Sequence, residues 1–502
     1  MPFGMRLALA AAAGLALATG QVPWSLWPVA LIGLGVILHL VSAAQSARQG
    51  AGLAFVAGAA HVALAMSWIV EPFLVEPEVY GWMAPFAVGL MAGGGGLFWA
   101  LPVWIALTSR GAPLTAVVLA LAVSDLARGY VLTGFPWALI GHVWIDTPVA
   151  QAVAYVGQYG LGLLTLAGVA VVVAGARAGH GAGPGGRGLV QLALGPAVLA
   201  AVWGLGLLRL AGPEPAPPGL ILRLVQPNAA QVAKWDPALA QQHFDRLLAA
   251  TGAATGAAGP VDLVIWPETA LPYQIDTSPE VPGLIAAAAR GVPVMLGLQR
   301  VEGTRGWNAL RVQDGSGALL ASYDKHHLVP FGEYIPFGDL AFDWFGIRAF
   351  AAQTGHAYSA GPGPQVMDLG ALGRVLPLIC YEAVFPQDLR TSTRADWIAQ
   401  VTNDAWFGTI SGPFQHAALA RLRAVEQGLP LARVANTGVT QMIDARGRVT
   451  AELAFGTAGH LDAALPGPLA APPYARWGDW PVAVLLAGCA LWLFGRRSKP
   501  DA

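Results

Sequence analysis

Charged side chains are almost missing from the first part of the chain: of 57 in 502 residues, only 13 precede position 218. The overall charged fraction is 11%, against about 25% in soluble domains. A soluble first half is therefore excluded, and the 55% hydrophobic content concentrates there as long apolar runs. Cysteine is nearly absent too. Cys380 and Cys489 are the two present, and Cys489 sits in the last apolar run, so the remainder has one thiol and no internal disulfide. Neither sign of charge prevails, with 28 Lys and Arg against 29 Asp and Glu. No basic stripe with interleaved aromatics occurs, which argues against nucleic acid as a partner, and no repeat of fixed period is visible.

What is present first is a series of apolar runs near 5–20, 28–46, 51–70, 86–108, 114–132, 158–176, 189–211 and 479–495, each near the length that crosses a bilayer, so about eight spans are expected. Asp125 and Arg128 interrupt the fifth run; three apart on one helical face, they read as a pair, with an intramembrane functional carboxylate as the lesser alternative. His39 and His61 lie in apolar runs without ligand spacing and read as packing residues. The cations give an independent test, because short cytoplasmic loops retain Lys and Arg. Arg6, Arg48, Arg110, Arg177, Arg187, Arg496, Arg497 and Lys499 fall on one side if the N-terminus is cytoplasmic, while the opposite loops carry Glu71, Glu76, Glu78 and Asp146. Arg128 and Arg209 fit this less well. The first run also has features of a signal peptide; retention is the expectation, and cleavage would leave the remaining topology unchanged. The domain reading is a membrane part at 1–211 with about seven helices, a Pro-rich linker at 212–219, a catalytic domain at 220–467, and a final span with a cytoplasmic tail at 468–502.

Beyond the linker the pattern changes to short apolar runs separated by turns, as in an α/β sandwich. Leu222–Gln226, Val261–Trp266, Val292–Leu298, Val375–Cys380 and Trp397–Val401 read as buried strands, Asp314–Gly317 and Asp444–Gly447 as hairpin turns, and Ala417–Gln427 as a helix. Glu268, Lys325 and Cys380 each stand at or just after such a run, where an α/β scaffold presents side chains to a crevice. The residue types suit acyl chemistry: a thiol needs a base to become a nucleophile, and a lysine can hold an oxyanion. Spacing alone is weak, since a lone cysteine at a strand end is more often a small buried hydrophobe. Glu268 and Lys325 also have bland readings as solvated charges.

The surrounding residues change that balance. Trp266-Pro-Glu-Thr-Ala270, Lys325-His-His-Leu-Val-Pro-Phe-Gly-Glu-Tyr-Ile-Pro336 and Ile379-Cys-Tyr-Glu382 together resemble the Glu-Lys-Cys motifs of the nitrilase (carbon–nitrogen hydrolase) superfamily. The closer resemblance, over nearly the whole chain, is to its membrane branch, the bacterial apolipoprotein N-acyltransferase family. That resemblance implies a multi-span helical membrane domain plus an extracytoplasmic nitrilase-like α-β-β-α sandwich in the bacterial inner membrane. The implied reaction is fatty acyl transfer from a phospholipid donor to the N-terminal amine of diacylglyceryl apolipoproteins, through a thioester and without a cofactor. It makes Glu268 the general base, Cys380 the acylated nucleophile and Lys325 the oxyanion stabiliser. Trp235, Glu333, Tyr381 and Glu382 match supporting positions. Of these, Trp235 also reads as a loop anchor or interfacial aromatic, Glu333 as an orienter of Lys325 or Glu268 or else a surface salt-bridge partner, and Tyr381 as an oxyanion N–H donor or packing. The segments Asn403–Gly408 and Gln415-His416 also resemble family sequence near the site, with no chemistry assigned. No metal is expected: His326 and His327 are adjacent, and on an extended segment they would face opposite ways. The competing readings are a membrane-tethered amidase that passes the acyl group to water, and a transporter with a degenerate catalytic domain; the triad and the scarcity of intramembrane charge weigh against the second.

The charge asymmetry predicts that Cys380 lies outside the cytoplasm. A reporter fused near Gly467 should be active only in a form that works outside the cytoplasm, and activity of a cytoplasmic reporter there would overturn the topology.

Overall fold

The computed structural model describes residues 1–109, 111–181, 186–234, 236–256, 259–271, 278–336 and 357–495. They group into two units, one of 1–212, 409–418 and 472–502, the other of 213–408 and 419–471. The division at 212/213 falls within the Pro-rich segment, which has no helix or strand, as repeated prolines require.

The first unit is helical and apolar. Among the described residues four helices are long and apolar enough to cross a membrane: Pro77–Leu107, Pro113–Tyr130, Pro148–Ala178 and Gly188–Leu210. A bent pair, Ala47–Ala65 with Ser67–Leu74, passes the same test with a 48° break, and Phe3–Ala18, Trp27–Ser42 and Trp480–Gly495 are shorter apolar helices. Small residues let backbones approach, since lipid gives helices no hydrophobic reason to associate. A Cβ at Gly14 would fall 2.1 Å from the carbonyl oxygen of Ala57, so helices Phe3–Ala18 and Ala47–Ala65 touch backbone to backbone.

The polar residues of this unit serve irregular backbone. Asp125 and Arg128 do pair, at 3.8 Å. Asp125 also accepts from the amide of Ile140 at 3.0 Å, and Arg128 donates to the carbonyl of Trp137. The segment between the two helices thus finds partners where unsatisfied backbone would be costly. His61 bonds the carbonyl of Ala138 at 2.9 Å and stacks on Trp99, which is the packing role expected. Gln415 accepts from the indoles of Trp68 (3.2 Å) and Trp137 (2.7 Å) and donates to the carbonyl of Ala65, while His416 stacks on Trp137.

The second unit is a sandwich of two six-stranded sheets. Its strands are β1 (Ile221–Gln226), β2 (Leu263–Ile265), β3 (Val294–Glu302), β4 (Arg305–Gln313), β5 (Leu319–Asp324), β6 (Met367–Asp368), β7 (Arg374–Ile379), β8 (Trp397–Thr402), β9 (Leu431–Ala435), β10 (Thr440–Ile443), β11 (Val449–Leu453) and β12 (Gly459–Ala464). One sheet runs β12-β1-β2-β3-β4-β5 and the other β11-β10-β9-β8-β7-β6. The central pairings β1–β2, β2–β3, β7–β8 and β8–β9 are parallel, and the flanking ones antiparallel. Strand alternation builds the layers. Leu222, Leu224, Leu263 and Ile265 point inward against Val375, Ile379, Val401 and Val434 of the facing sheet. On one outer face Val225, Val264 and Leu296 meet Phe244 and Ile285 of helices Pro237–Thr251 and Val281–Ala289; on the other, Leu376, Ile398 and Leu431 meet Ala420 and Ala424. This is the α-β-β-α order expected.

The parallel strands read as apolar runs because both faces are covered. Two expectations need adjusting: β2 is only Leu263–Ile265, and the helix after β8 begins at Gly412 rather than Ala417. One glycine positions the site. A Cβ at Gly297 in β3 would lie 2.4 Å from the oxygen of Pro267 and 2.7 Å from the Cα of Glu268, so only glycine lets the turn carrying Glu268 lie against β3. Gly297→Ala is expected to destabilise the protein by about 1–3 kcal/mol, measured as a lower unfolding midpoint in detergent, and to reduce activity; an unchanged midpoint would contradict the close approach.

Candidate active site

The ends of β2, β5 and β7 deliver the three expected residues. Glu268 follows β2 in a turn whose next residue, Thr269, has φ +43°. Lys325 directly follows β5, with its amide bonded to the carbonyl of Asn308 at 2.9 Å. Cys380 is the first residue beyond β7 and itself takes φ +52°, a left-handed conformation uncommon for a residue with a Cβ. All three are buried.

The Lys325 ammonium is 1% exposed and lies 2.8 Å from Glu333 and 3.7 Å from Glu268. Asn308 donates to both carboxylates through one amide nitrogen, at 2.7 Å to Glu268 and 2.9 Å to Glu333. The second oxygen of Glu268 accepts from the amide of Asn403 at 2.7 Å, and that of Glu333 from the amide of Val329 at 2.8 Å. Burial alone would lower the lysine's pKa, but the charges of Glu333, Glu268 and Cys380 outweigh it and hold Lys325 well above its usual range. The Cys380 thiol goes up as well, through burial first and then the charge of Glu268, against the opposing effects of Lys325 and a hydrogen bond from Thr402. Lys325 thus lies between two carboxyl side chains, and the Cys380 thiol is held toward its protonated form. A thiol held up in this way would need a base to take its proton in any attack.

The supporting residues divide. Glu333 lies 2.8 Å from the Lys325 ammonium and is buried rather than on the surface. Glu382 is fully buried and accepts from the amides of Ile379 (2.7 Å), His326 (2.8 Å) and His327 (3.3 Å) and from the hydroxyl of Tyr323 (2.8 Å). It braces the left-handed turn at Cys380. Tyr381 packs edge-on against Phe385 and His327. Trp235 lies outside the described residues. Three contributors escaped the sequence reading: Asn308, Thr402 and Lys234. Lys234 donates to the carbonyl of Glu268 and the hydroxyl of Thr269. Asn308 lies inside β4 and Thr402 ends β8, and a polar residue in or just after a strand-like run is the one signal that marks them.

The expectation that His326 and His327 face opposite ways is corrected. Residues 325–329 are not in a strand, so alternation does not apply, and both rings reach Asp388: His327 Nδ1 at 2.8 Å and His326 Nε2 at 3.5 Å. One ligand-type atom from each of the three lies within 4.8 Å of the others. His326 Nδ1 is also 2.7 Å from Glu382. Burial disfavours the imidazolium, yet hydrogen bonds to Asp388 and Glu382 outweigh that and raise His326 to about 9. A base raised on folding stabilises fully below its unfolded value, about 6.5, and the contribution is lost as pH climbs through about 9. The melting midpoint should therefore fall more steeply between pH 6.5 and 9 in the wild type than in His326→Gln. Parallel slopes would mean that the histidine carries no charge in this cluster.

Residues 222–471 match the carbon-nitrogen hydrolase family model and residues 13–171 the apolipoprotein N-acyltransferase N-terminal domain. The chain is 37% identical to the apolipoprotein N-acyltransferase of Caulobacter vibrioides over 94% of its own length and 91% of that protein's. It is 34% identical to that of Rhodopseudomonas palustris, covering 99% and 96%. Among solved structures, an amidase from Nesterenkonia sp. aligns at 19% identity and a TM-score of 0.40, over 55% of this chain and 99% of that one. Two family models and full-length relatives above 30% identity place this membrane protein in the apolipoprotein N-acyltransferase family of the carbon–nitrogen hydrolases.

Proposed function

We propose that the chain transfers a fatty acyl group from a membrane phospholipid to the N-terminal amine of diacylglyceryl-cysteine apolipoproteins, through a thioester on Cys380. The reaction takes place on the extracytoplasmic side of the bacterial inner membrane. The observation that carries the mechanism is the buried cluster in which Lys325 lies 2.8 Å from Glu333 and 3.7 Å from Glu268, with the thiol-bearing Cys380 buried at the end of β7 in the same domain; full-length likeness to apolipoprotein N-acyltransferases supports the choice of substrates.

In the first half-reaction the Glu268 carboxylate takes the thiol proton as Sγ attacks the ester carbonyl. The oxyanion accepts hydrogen bonds from the Lys325 ammonium and the Tyr381 amide. When the C–O bond breaks, Glu268 returns the proton to the departing lysophospholipid, leaving the acyl group on sulfur. In the second, the acceptor amine attacks the thioester, Glu268 takes the amine proton, and collapse breaks the C–S bond and returns that proton to sulfur. Glu333 keeps the ammonium aimed, Glu382 braces the nucleophile turn, and Trp235 supports substrate binding. Donor and acceptor use one pocket in turn, so neither must wait for the other. The domain limits set out from the sequence, with catalytic residues 220–467 between apolar segments that precede and follow them in the chain, suit a site held where lipid substrates reside.

Incubation with phospholipid alone should place an acyl adduct on Cys380, leave Cys489 unmodified, and release lysophospholipid at about one per enzyme. Glu268→Gln should slow loading by at least about a hundredfold. Adding an amine acceptor that resembles a lipoprotein N-terminus should discharge the adduct into an amide, each stage followed by intact-protein mass spectrometry. Continuous release of free fatty acid with no amide would favour the hydrolase reading. Amide formation with no adduct on any variant would remove Cys380 as nucleophile.

A further inference from the structure

A second lysine, Lys234, is buried behind the base. It ends the short helix Gln231–Lys234 and is 5% exposed, which an ammonium tolerates only with partners. Its Nζ donates to the carbonyl oxygen of Glu268 at 3.1 Å and to the hydroxyl of Thr269 at 2.7 Å. Those acceptors belong to the turn that presents the base, where Thr269 holds a left-handed φ of +43°. A conformation of that kind persists only when its surroundings over-determine it.

The segment that carries Lys234 is fastened to the same site a second time. Asn403, whose amide binds the Glu268 carboxylate, donates through its side chain to Gln231 at 2.7 Å and accepts from Asn436 at 2.9 Å. Asn436 in turn exchanges hydrogen bonds with both backbone groups of Ala229, at 2.7 and 3.0 Å. The backbone of Glu268 and its carboxylate are therefore both tied, by different routes, to residues 229–234.

We infer that Lys234 is a positioning residue for the acyl transfer: its ammonium fixes the Glu268–Thr269 turn and so sets where the base's carboxylate points. This rests on the function proposed above only in naming the reaction. Burial is the main influence on Lys234 and lowers it to about 8, while the charges of Glu268 and Cys380 oppose that fall; the same lysine thus responds to both the base and the nucleophile.

The test uses full-length protein in detergent with Cys489→Ala as background, so that iodoacetamide reports on Cys380 alone. Lys234→Met keeps much of the chain length and removes the donor. It should slow both alkylation at pH 8 and acyl loading from phospholipid by about tenfold, the change one pKa unit produces, while the donor's KM stays within about twofold. Thr269→Val should act in the same direction, and the double variant should be no slower than Lys234→Met, as for residues working through one contact. Wild-type alkylation and loading in Lys234→Met, or fully additive effects of the two substitutions, would overturn the inference. Should Lys234→Met fail to fold, judged by circular dichroism, Thr269→Val decides: unchanged alkylation overturns the assignment. If wild-type enzyme is never loaded by phospholipid yet the alkylation contrast persists, the positioning role stands and the proposed substrate falls.

Discussion

An ammonium removed from water costs several kcal/mol unless carboxylates and hydrogen bonds accompany it, and Lys325 is 1% exposed. Its two carboxylates, Glu268 and Glu333, are buried as well, so the cluster has more negative than positive charge of its own. The excess is spread over N–H donors from three places in the fold: Asn308 in β4, Val329 in the loop after β5, and Asn403 after β8. None of these can be released without leaving a charge unsatisfied. The catalytic arrangement is consequently fixed by the same electrostatic requirement that makes it foldable.

Cys380 is held by a different device. Cys380 leaves β7 in a left-handed turn, and the carboxylate two residues later reaches back to the amide of Ile379 while binding Tyr323 and the amides of His326 and His327. Glu382 thereby links the residue before Cys380 to the segment just after Lys325. A carboxylate so close to the thiol in sequence invites a role in proton transfer. Its hydrogen bonds are instead already committed to backbone and hydroxyl donors.

Much of this was legible in the sequence, for reasons that can be named. Strands buried on both faces leave apolar runs, and the runs at 222–226, 375–380 and 397–401 coincide with β1, β7 and β8. Hairpin turns at Asp314 and Asp444 join β4 to β5 and β10 to β11 through their turn chemistry. The pairing of Lys325 with Glu268 was legible only through motif likeness, because spacing does not tell a buried, paired lysine from a solvated one. Asn308 and Lys234 were not legible: their partners lie across the fold, and period-2 alternation reads an isolated asparagine as outward-facing. The two histidines were misjudged because alternation was applied to residues that have left the strand. The helix start was missed because Gly412-Pro413 looks like a breaker, although proline is favoured in a first helical turn.

The order of strands carries one more implication. The first strand of the sandwich, β1, is flanked by β2 and by β12, and its register pairs Leu222 with Ala463. Synthesis makes β1 long before its partner exists, so one edge of this apolar strand stays unpaired while the intervening residues emerge. Such an edge is a template for wrong pairing, and non-local closure is slow. The sheet that presents Glu268 therefore becomes complete only once β12 has been made. Until then the nascent domain needs shielding, and truncation just before residue 459 would leave an aggregation-prone remnant rather than a smaller enzyme.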